Sequence, residues 1–282
     1  MNTSEIKKNI MQVVEKVKET NPMAGSITNT VTINFVANAQ LAIGGSAAMV
    51  YMPDEGEFLA RAGGATYINV GTIFSIYEKT LPHTAKVLNQ IGKPWVLDPV
   101  AVGIGELRTK ILQQFKEYKP SIIRGNASEI IALAGLWGLE GGIKSSRAKG
   151  VESMDSVYEA QNAAISLALW TKGAVSVSGE TDMITDGHLV TKTTGGSHFM
   201  EKITGAGCSL GGVMAVYLSA TDPFTAALTA HLVYNLAGSK AEKSALGPGQ
   251  FQVSFLDELY KASAEDIGNY PFKIENEGGW NE

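Results

Sequence analysis

Short β-forming runs alternate with longer stretches of helical periodicity along most of this chain, and no other feature narrows the choice of folds as far. ATYINVG (65–71), PWVLDP (94–99) and SIIRG (121–125) are each followed by a helical pattern, one ending near residue 91 and the others starting at 106 and 126. Strand–helix–strand passages of this kind close as right-handed crossovers, and a succession of them builds a parallel sheet with helices on its faces. A helix over 155–171 and a strand over 173–179 extend the series. MITDGHLV then interrupts it, because Asp186-Gly187 between two β-like arms signals a hairpin. The expected fold class is therefore α/β, with a mostly parallel sheet and an antiparallel pair at one edge.

The ends of the chain add helices. Ile6, Ile10, Val13, Val14 and Val17 recur at helical spacing, so residues 4–19 read as a surface helix with Thr3 or Ser4 as N-cap, ended by Asn21-Pro22. Helical patterns also fill about 207–220, 223–245 and 249–263. From Pro271 the chain is polar and is expected to fray. Without repeats or low-complexity linkers, the organisation is read as a single α/β domain over 1–270 with a polar tail over 271–282.

Composition limits function. The chain has 282 residues with 44% hydrophobic side chains, enough for a large core. One cysteine excludes an intramolecular disulfide and favours a reducing, cytoplasmic setting. The N-terminus lacks an apolar signal core, and no uncharged apolar stretch of about 18 residues occurs, so neither export nor membrane insertion is expected. A net charge of −5 with scattered Lys and Arg gives little attraction for nucleic acid or an anionic membrane.

In open α/β sheets ligands gather beyond the carboxyl ends of the strands. Here those ends carry Asp98 in DPVAVGIG, Arg124 and Glu129 in IIRGNASEI, and Ser178 before Gly179-Glu180. Asp98 and Glu129 suit Mg²⁺, directly or through water, because magnesium takes oxygen ligands and few carboxylates; taken alone, each more often has a structural use, Asp98 capping a turn and Glu129 on a solvated helix face. Arg124 fits nucleotide phosphates or a surface ion pair. His83, His188, His198 and His231 have no metal-ligand spacing and read as structural. Met49 in GGSAAMVYM suits either a core or the wall of an aromatic-ligand pocket.

ITGAGCSLGG (203–212) puts the lone Cys208 just behind a Gly-x-Gly turn and ahead of an apolar run. Gly205 and Gly207 permit positive φ and close backbone approach, and a helix starting near Gly207 would present free N–H groups and a positive dipole end to a phosphate. The same field would lower the thiol pKa below its usual value of about 8.5, letting Cys208 accept a proton. Alternatively the turn packs a helix on the sheet and Cys208 is a small buried side chain; the turn alone does not choose.

Taken in chain order, ITNTVTINFVANAQLAIGGSAAM (27–49), INVGT (68–72), DPVAVG (98–103), IIRGNASEI (122–130), VSGETDMITDG (177–187) and ITGAGC (203–208) resemble hydroxyethylthiazole kinases. The resemblance spans most of residues 25–245 and implies a ribokinase-like three-layer fold. It also implies transfer of the ATP γ-phosphate to the hydroxyl of 4-methyl-5-(2-hydroxyethyl)thiazole in thiamine salvage, with Mg²⁺ as cofactor, by a homotrimer whose active sites are shared. Carried over by motif, Arg124, Ser178, Gly205, Ala206 and Gly207 would bind ATP. Asp98 and Glu129 would organise magnesium, Asn29, Met49 and Gly205 would line the thiazole side, and Cys208 would be catalytic. The chain departs from the family's usual proline at Ala47 and from threonine at Ala206 and Ser178. A kinase of another small hydroxymethyl compound, pyrimidine or pyridoxal, is the nearest rival, and a catalytically silent nucleotide sensor is the rival from another class.

Overall fold

The computed structural model describes residues 2–143 and 155–275. Its sheet has nine strands, β1 (Met23–Ile27), β2 (Ser46–Met49), β3 (Ala65–Asn69), β4 (Trp95–Asp98), β5 (Ile122–Asn126), β6 (Ala174–Ser178), β7 (Thr181–Thr185), β8 (Val190–Thr194) and β9 (Lys273–Glu275), in the spatial order β2-β1-β3-β4-β5-β6-β7-β8-β9. The pairs from β2 to β6 are parallel and those from β6 to β9 antiparallel. The β7–β8 hairpin lies where Asp186-Gly187 placed it: Gly187 has φ +94°, and Asp186 Oδ1 accepts the N–H groups of His188 and Leu189. The inner strands β3 and β4 are buried along their whole length, β5 all but its last residue, whereas the edge strand β2 is half-buried.

Two apolar layers cover the faces. On one side α1 (Thr3–Thr20), α2 (Ile33–Ala42), α8 (Ala206–Leu218), α9 (Pro223–Glu242) and α10 (Pro248–Lys261) pack around Val36, Val213, Leu232 and Phe255. On the other, α3 (Pro53–Ala62), α4 (Tyr77–Ile91), α5 (Glu106–Tyr118), α6 (Ala127–Trp137) and α7 (Asp155–Thr171) enclose Leu81, Trp95, Phe115 and Leu133. α8 and α9 are apolar around most of their circumference because sheet and helices enclose them together.

Three expectations need correction. The N-cap of α1 is Asn2, not Thr3 or Ser4: its side chain accepts the Glu5 N–H while Glu5 accepts the Asn2 N–H, a reciprocal box that one hydroxyl would only half complete. Between α1 and β3, the small residues of MAGSI and SAAM form strands β1 and β2, whose low β-propensity hides them in the sequence. The segment from Pro271 is not all frayed, since Lys273–Glu275 adds β9 to the edge and Thr193 Oγ1 donates to the Pro271 carbonyl. Residues 276–282 lie outside the described residues.

Candidate active site

Asn69, Asp98, Arg124 and Ser178, at or near the carboxyl ends of β3 to β6, are linked to one another and to the start of α8. Gly205 is the N-cap of α8, with φ +96° and no side-chain cap. A Cβ there would approach Thr32 Cβ at 3.0 Å and Phe35 Cδ1 at 3.3 Å. Both the sign of φ and the space therefore require glycine, and the first-turn N–H groups keep no side-chain acceptor. At Gly207 a Cβ would stand 2.9 Å from Arg124 Nη1, so the bare backbone is what lets the guanidinium lie against the helix start.

Arg124 is buried, not paired at the surface. Its Nη1 meets Asp98 Oδ2 at 3.3 Å, and its Nη2 donates to Ser178 Oγ at 3.0 Å. Asp98 has no exposure at all; its Oδ2 also accepts from Tyr67 Oη and Asn69 Nδ2, each at 2.8 Å, while Oδ1 is buried with no partner. Burial pushes the Asp98 carboxyl above its ordinary value, opposed by Arg124 and reinforced by Glu129. For Arg124 the burial penalty is outweighed by Asp98 and Glu129, which hold the guanidinium charged. Glu129 is not free on a solvated face: it closes a capping box with Asn126, and its Oε1 accepts the Ala101 N–H at 3.3 Å.

Cys208 is half-buried in the first turn of α8, and its Sγ receives Asn29 Nδ2 at 3.3 Å and Asn69 Nδ2 at 3.4 Å. The expected lowering of its pKa is reversed. Burial comes first and Asp98 second, and together they push the thiol up past the opposing effects of Arg124 and the Asn29 hydrogen bond.

A cavity of about 560 Å³ opens on one side of this cluster. Arg124, Ser178, Ala206 and Gly207 line it, and beside them stand Glu180 and Asn235. Cys208, Gly205, Asp98, Glu129, Asn29 and Met49 lie outside that lining. Asn29 is buried on the far side of Cys208, with its Oδ1 accepting the Thr32 N–H, and Met49 ends the edge strand β2 half-buried against the core. Of the predicted residues, Arg124, Ser178, Ala206 and Gly207 line the cavity, while Asp98 reaches it only through Arg124, and Asn29 meets Cys208.

Sequence reasoning missed Asn69, which joins Asp98 to Cys208, and Tyr67, which donates to Asp98, and underread His231. That histidine is buried in α9 with Nδ1 at 3.1 Å from Asp182 Oδ2 and its other ring nitrogen on Ser176 Oγ. Asp182 in turn accepts Asn235 Nδ2 and the Gly179 N–H, so this chain of hydrogen bonds supports the β6–β7 turn carrying Ser178. A polar residue closing a buried strand, as Asn69 does, or interrupting an apolar helix, as His231 does, was the available signal.

An open, mostly parallel sheet thus brings a helix start at Gly205, a buried arginine and a hydroxyl together at one cavity. The likeness to a ribokinase-like superfamily protein from Enterococcus faecalis V583, with TM-score 0.59 at 13% identity over 90% of this chain and 95% of that one, shows the same fold. A profile of the Hydroxyethylthiazole kinase family matches residues 14–265, and the chain belongs to that family. It is 52% identical to hydroxyethylthiazole kinase of Bifidobacterium longum (strain NCC 2705), over 94% of this chain and 90% of the relative. It is 42% identical to the enzyme of that name from Akkermansia muciniphila, over 89% and 91%. The structure of a hydroxyethylthiazole kinase protein from Pyrococcus horikoshii OT3 superimposes with TM-score 0.85 at 29% identity, covering 95% of this chain and all of that one.

Proposed function

We propose that the chain transfers the γ-phosphoryl group of ATP to the hydroxyl of 4-methyl-5-(2-hydroxyethyl)thiazole, a salvage step toward thiamine. The observation that carries this reading is the junction at α8: Arg124 and Ser178 line the cavity with Ala206 and Gly207 at the helix start, and Cys208 follows one residue on, outside that lining. The cavity side suits the nucleotide, and the side bounded by Asn29 suits the alcohol. Arg124 and the N–H groups of residues 205–208 take up charge on the transferring group, a role a helix start fills without reorganisation. As the alcohol oxygen forms its bond to the γ-phosphorus, the bond from phosphorus to the ADP oxygen breaks and the alcohol proton passes to Cys208 Sγ. The loose transition state of such transfers puts most of the catalysis into positioning.

Magnesium fits Asp98, whose buried Oδ1 lacks a partner, better than Glu129, whose oxygens already hold the Asn126 and Ala101 N–H groups. Among the described residues no cluster of three His, Cys, Asp or Glu side chains could hold a metal, which agrees with an ion carried mainly by phosphates and water. When bound, it would neutralise charge on the triphosphate.

Assembly as a homotrimer is supported by exposed apolar residues that a second copy could cover: Val31 before α2, Leu41 on α2, Met52 and Phe58 at α3, and Phe74 after β3. A cytoplasmic location suits an enzyme with a lone thiol and a need for ATP. The substrate assignment is tested by ADP release with and without the thiazole alcohol, set against hydroxymethylpyrimidine and pyridoxal. Turnover is expected with the thiazole; a higher kcat/KM for either rival alcohol would reassign the substrate, and nucleotide binding without turnover would make the chain a sensor.

A further inference from the structure

Asn69 closes β3 with no exposure, and its neighbours fix which end of its carboxamide points where. Oδ1 accepts the Gly71 N–H at 2.8 Å and Asn29 Nδ2 at 3.1 Å. The NH₂ group is left facing Asp98 Oδ2 at 2.8 Å, Tyr67 Oη at 2.9 Å and Cys208 Sγ at 3.4 Å. Flipping the amide would set its oxygen against the Asp98 carboxylate and its NH₂ against a backbone N–H, so the orientation follows from the partners. Asn29 is fixed in the same way: its Oδ1 takes the Thr32 N–H at 3.1 Å, which turns its NH₂ toward Asn69 Oδ1 and Cys208 Sγ.

Gly71, the residue that orients Asn69, is itself held. A Cβ at Gly71 would meet Asn69 Oδ1 at 2.9 Å, and Arg108 donates from Nη2 to the Gly71 carbonyl at 3.0 Å and from Nε to the Val70 carbonyl at 2.9 Å. Three elements, β3, α5 and the loop after β1, thus converge on the direction of two carboxamide NH₂ groups. Both aim at one sulfur.

We propose that Asn69 is a positioning residue for the transfer step, holding Cys208 Sγ as an acceptor of two carboxamide N–H groups and tying it to the Asp98 carboxylate. A sulfur held this way keeps its remaining lone pairs directed away from Asn29 and Asn69. Amide donors also favour the anionic sulfur, which must be present before the alcohol proton can move to it. The inference rests on Cys208 as proton acceptor.

The test is a double-mutant cycle with Asn69→Ala and Cys208→Ala on the full chain, read as kcat and KM with melting temperature as a control. Asn69→Ala should lower kcat roughly 10- to 100-fold, the scale of a misplaced reacting group, with both KM values within about twofold. In the Cys208→Ala background the same change should cost less than about twofold, because the sulfur it acts on is gone. Equal losses in both backgrounds, or a loss in KM alone, would overturn the proposal. A fully active Cys208→Ala single variant would remove the base assignment and this proposal with it, and that variant is measured first, so the two failures are told apart. Asn69→Ser, which keeps an acceptor for the Gly71 N–H, completes the same cycle if the alanine variant does not fold.

Discussion

At Cys208 the balance of forces differs from what a helix start alone suggests. The α8 dipole and the two asparagine donors favour the anion, yet burial and the nearby Asp98 carboxylate hold the thiol above its ordinary range. The reactive form is therefore scarce at neutral pH, and kcat should climb with pH through the alkaline range. Cys208→Ala should lose rate roughly 10²-fold, the scale of general-base removal with the anion site intact. Cys208→Asp should fold, since the amides that face Sγ can solvate a carboxylate, and its rate should be flatter with pH and higher at pH 7. An alanine variant of undiminished rate, or an aspartate variant with the wild-type pH profile, would show that Cys208 only packs. Arg124 has a mixed role for the same reason of burial: truncating it would leave Asp98 a buried, unpaired charge, a loss on the order of 3–5 kcal/mol. Kinetics of Arg124→Ala must be read against its melting temperature.

Among elements, the start of α8 carries most of the proposed site. Its apolar run and Gly-x-Gly turn were legible in the sequence because helix onset and positive φ leave strong local signals, and Gly205 does adopt φ +96°. Asp98, Arg124 and Ser178, at or near the carboxyl ends of their strands, stood out in the sequence as candidates, and the structure joins them in one hydrogen-bonded group. What stayed hidden depends on contacts between elements. Nothing within INVGT says that Asn69 meets Cys208, 139 residues away, and small-residue strands such as SAAM give no periodic pattern. The N-cap of α1 is Asn2, ahead of both Thr3 and Ser4, because two reciprocal hydrogen bonds outweigh a hydroxyl's single one. The element also yields a prediction. Gly207→Ala sits within a helix and should fold, but its Cβ must displace Arg124 from the helix start. The KM for ATP should rise several-fold or kcat fall, with little loss of melting temperature; unchanged kinetics would detach Arg124 from the phosphate site.

For the whole molecule, the sheet order and the two helical layers gather the strand ends at one edge, and the family resemblance alone supplied the expectation of shared sites. Val31, Leu41, Met52, Phe58 and Phe74 are exposed apolar residues that the proposed trimer would be expected to cover. Light scattering at micromolar concentration should report about three chain masses, and a fully active monomer would show that one chain holds the complete site. The central claim is that this fold moves a phosphoryl group from ATP to a thiazole alcohol. It is tested most directly by following ³¹P signals in a mixture of the protein, Mg²⁺, ATP and 4-methyl-5-(2-hydroxyethyl)thiazole. A phosphate monoester should grow in step with ADP; formation of inorganic phosphate in its place, or an ATP signal that never declines, would contradict the account.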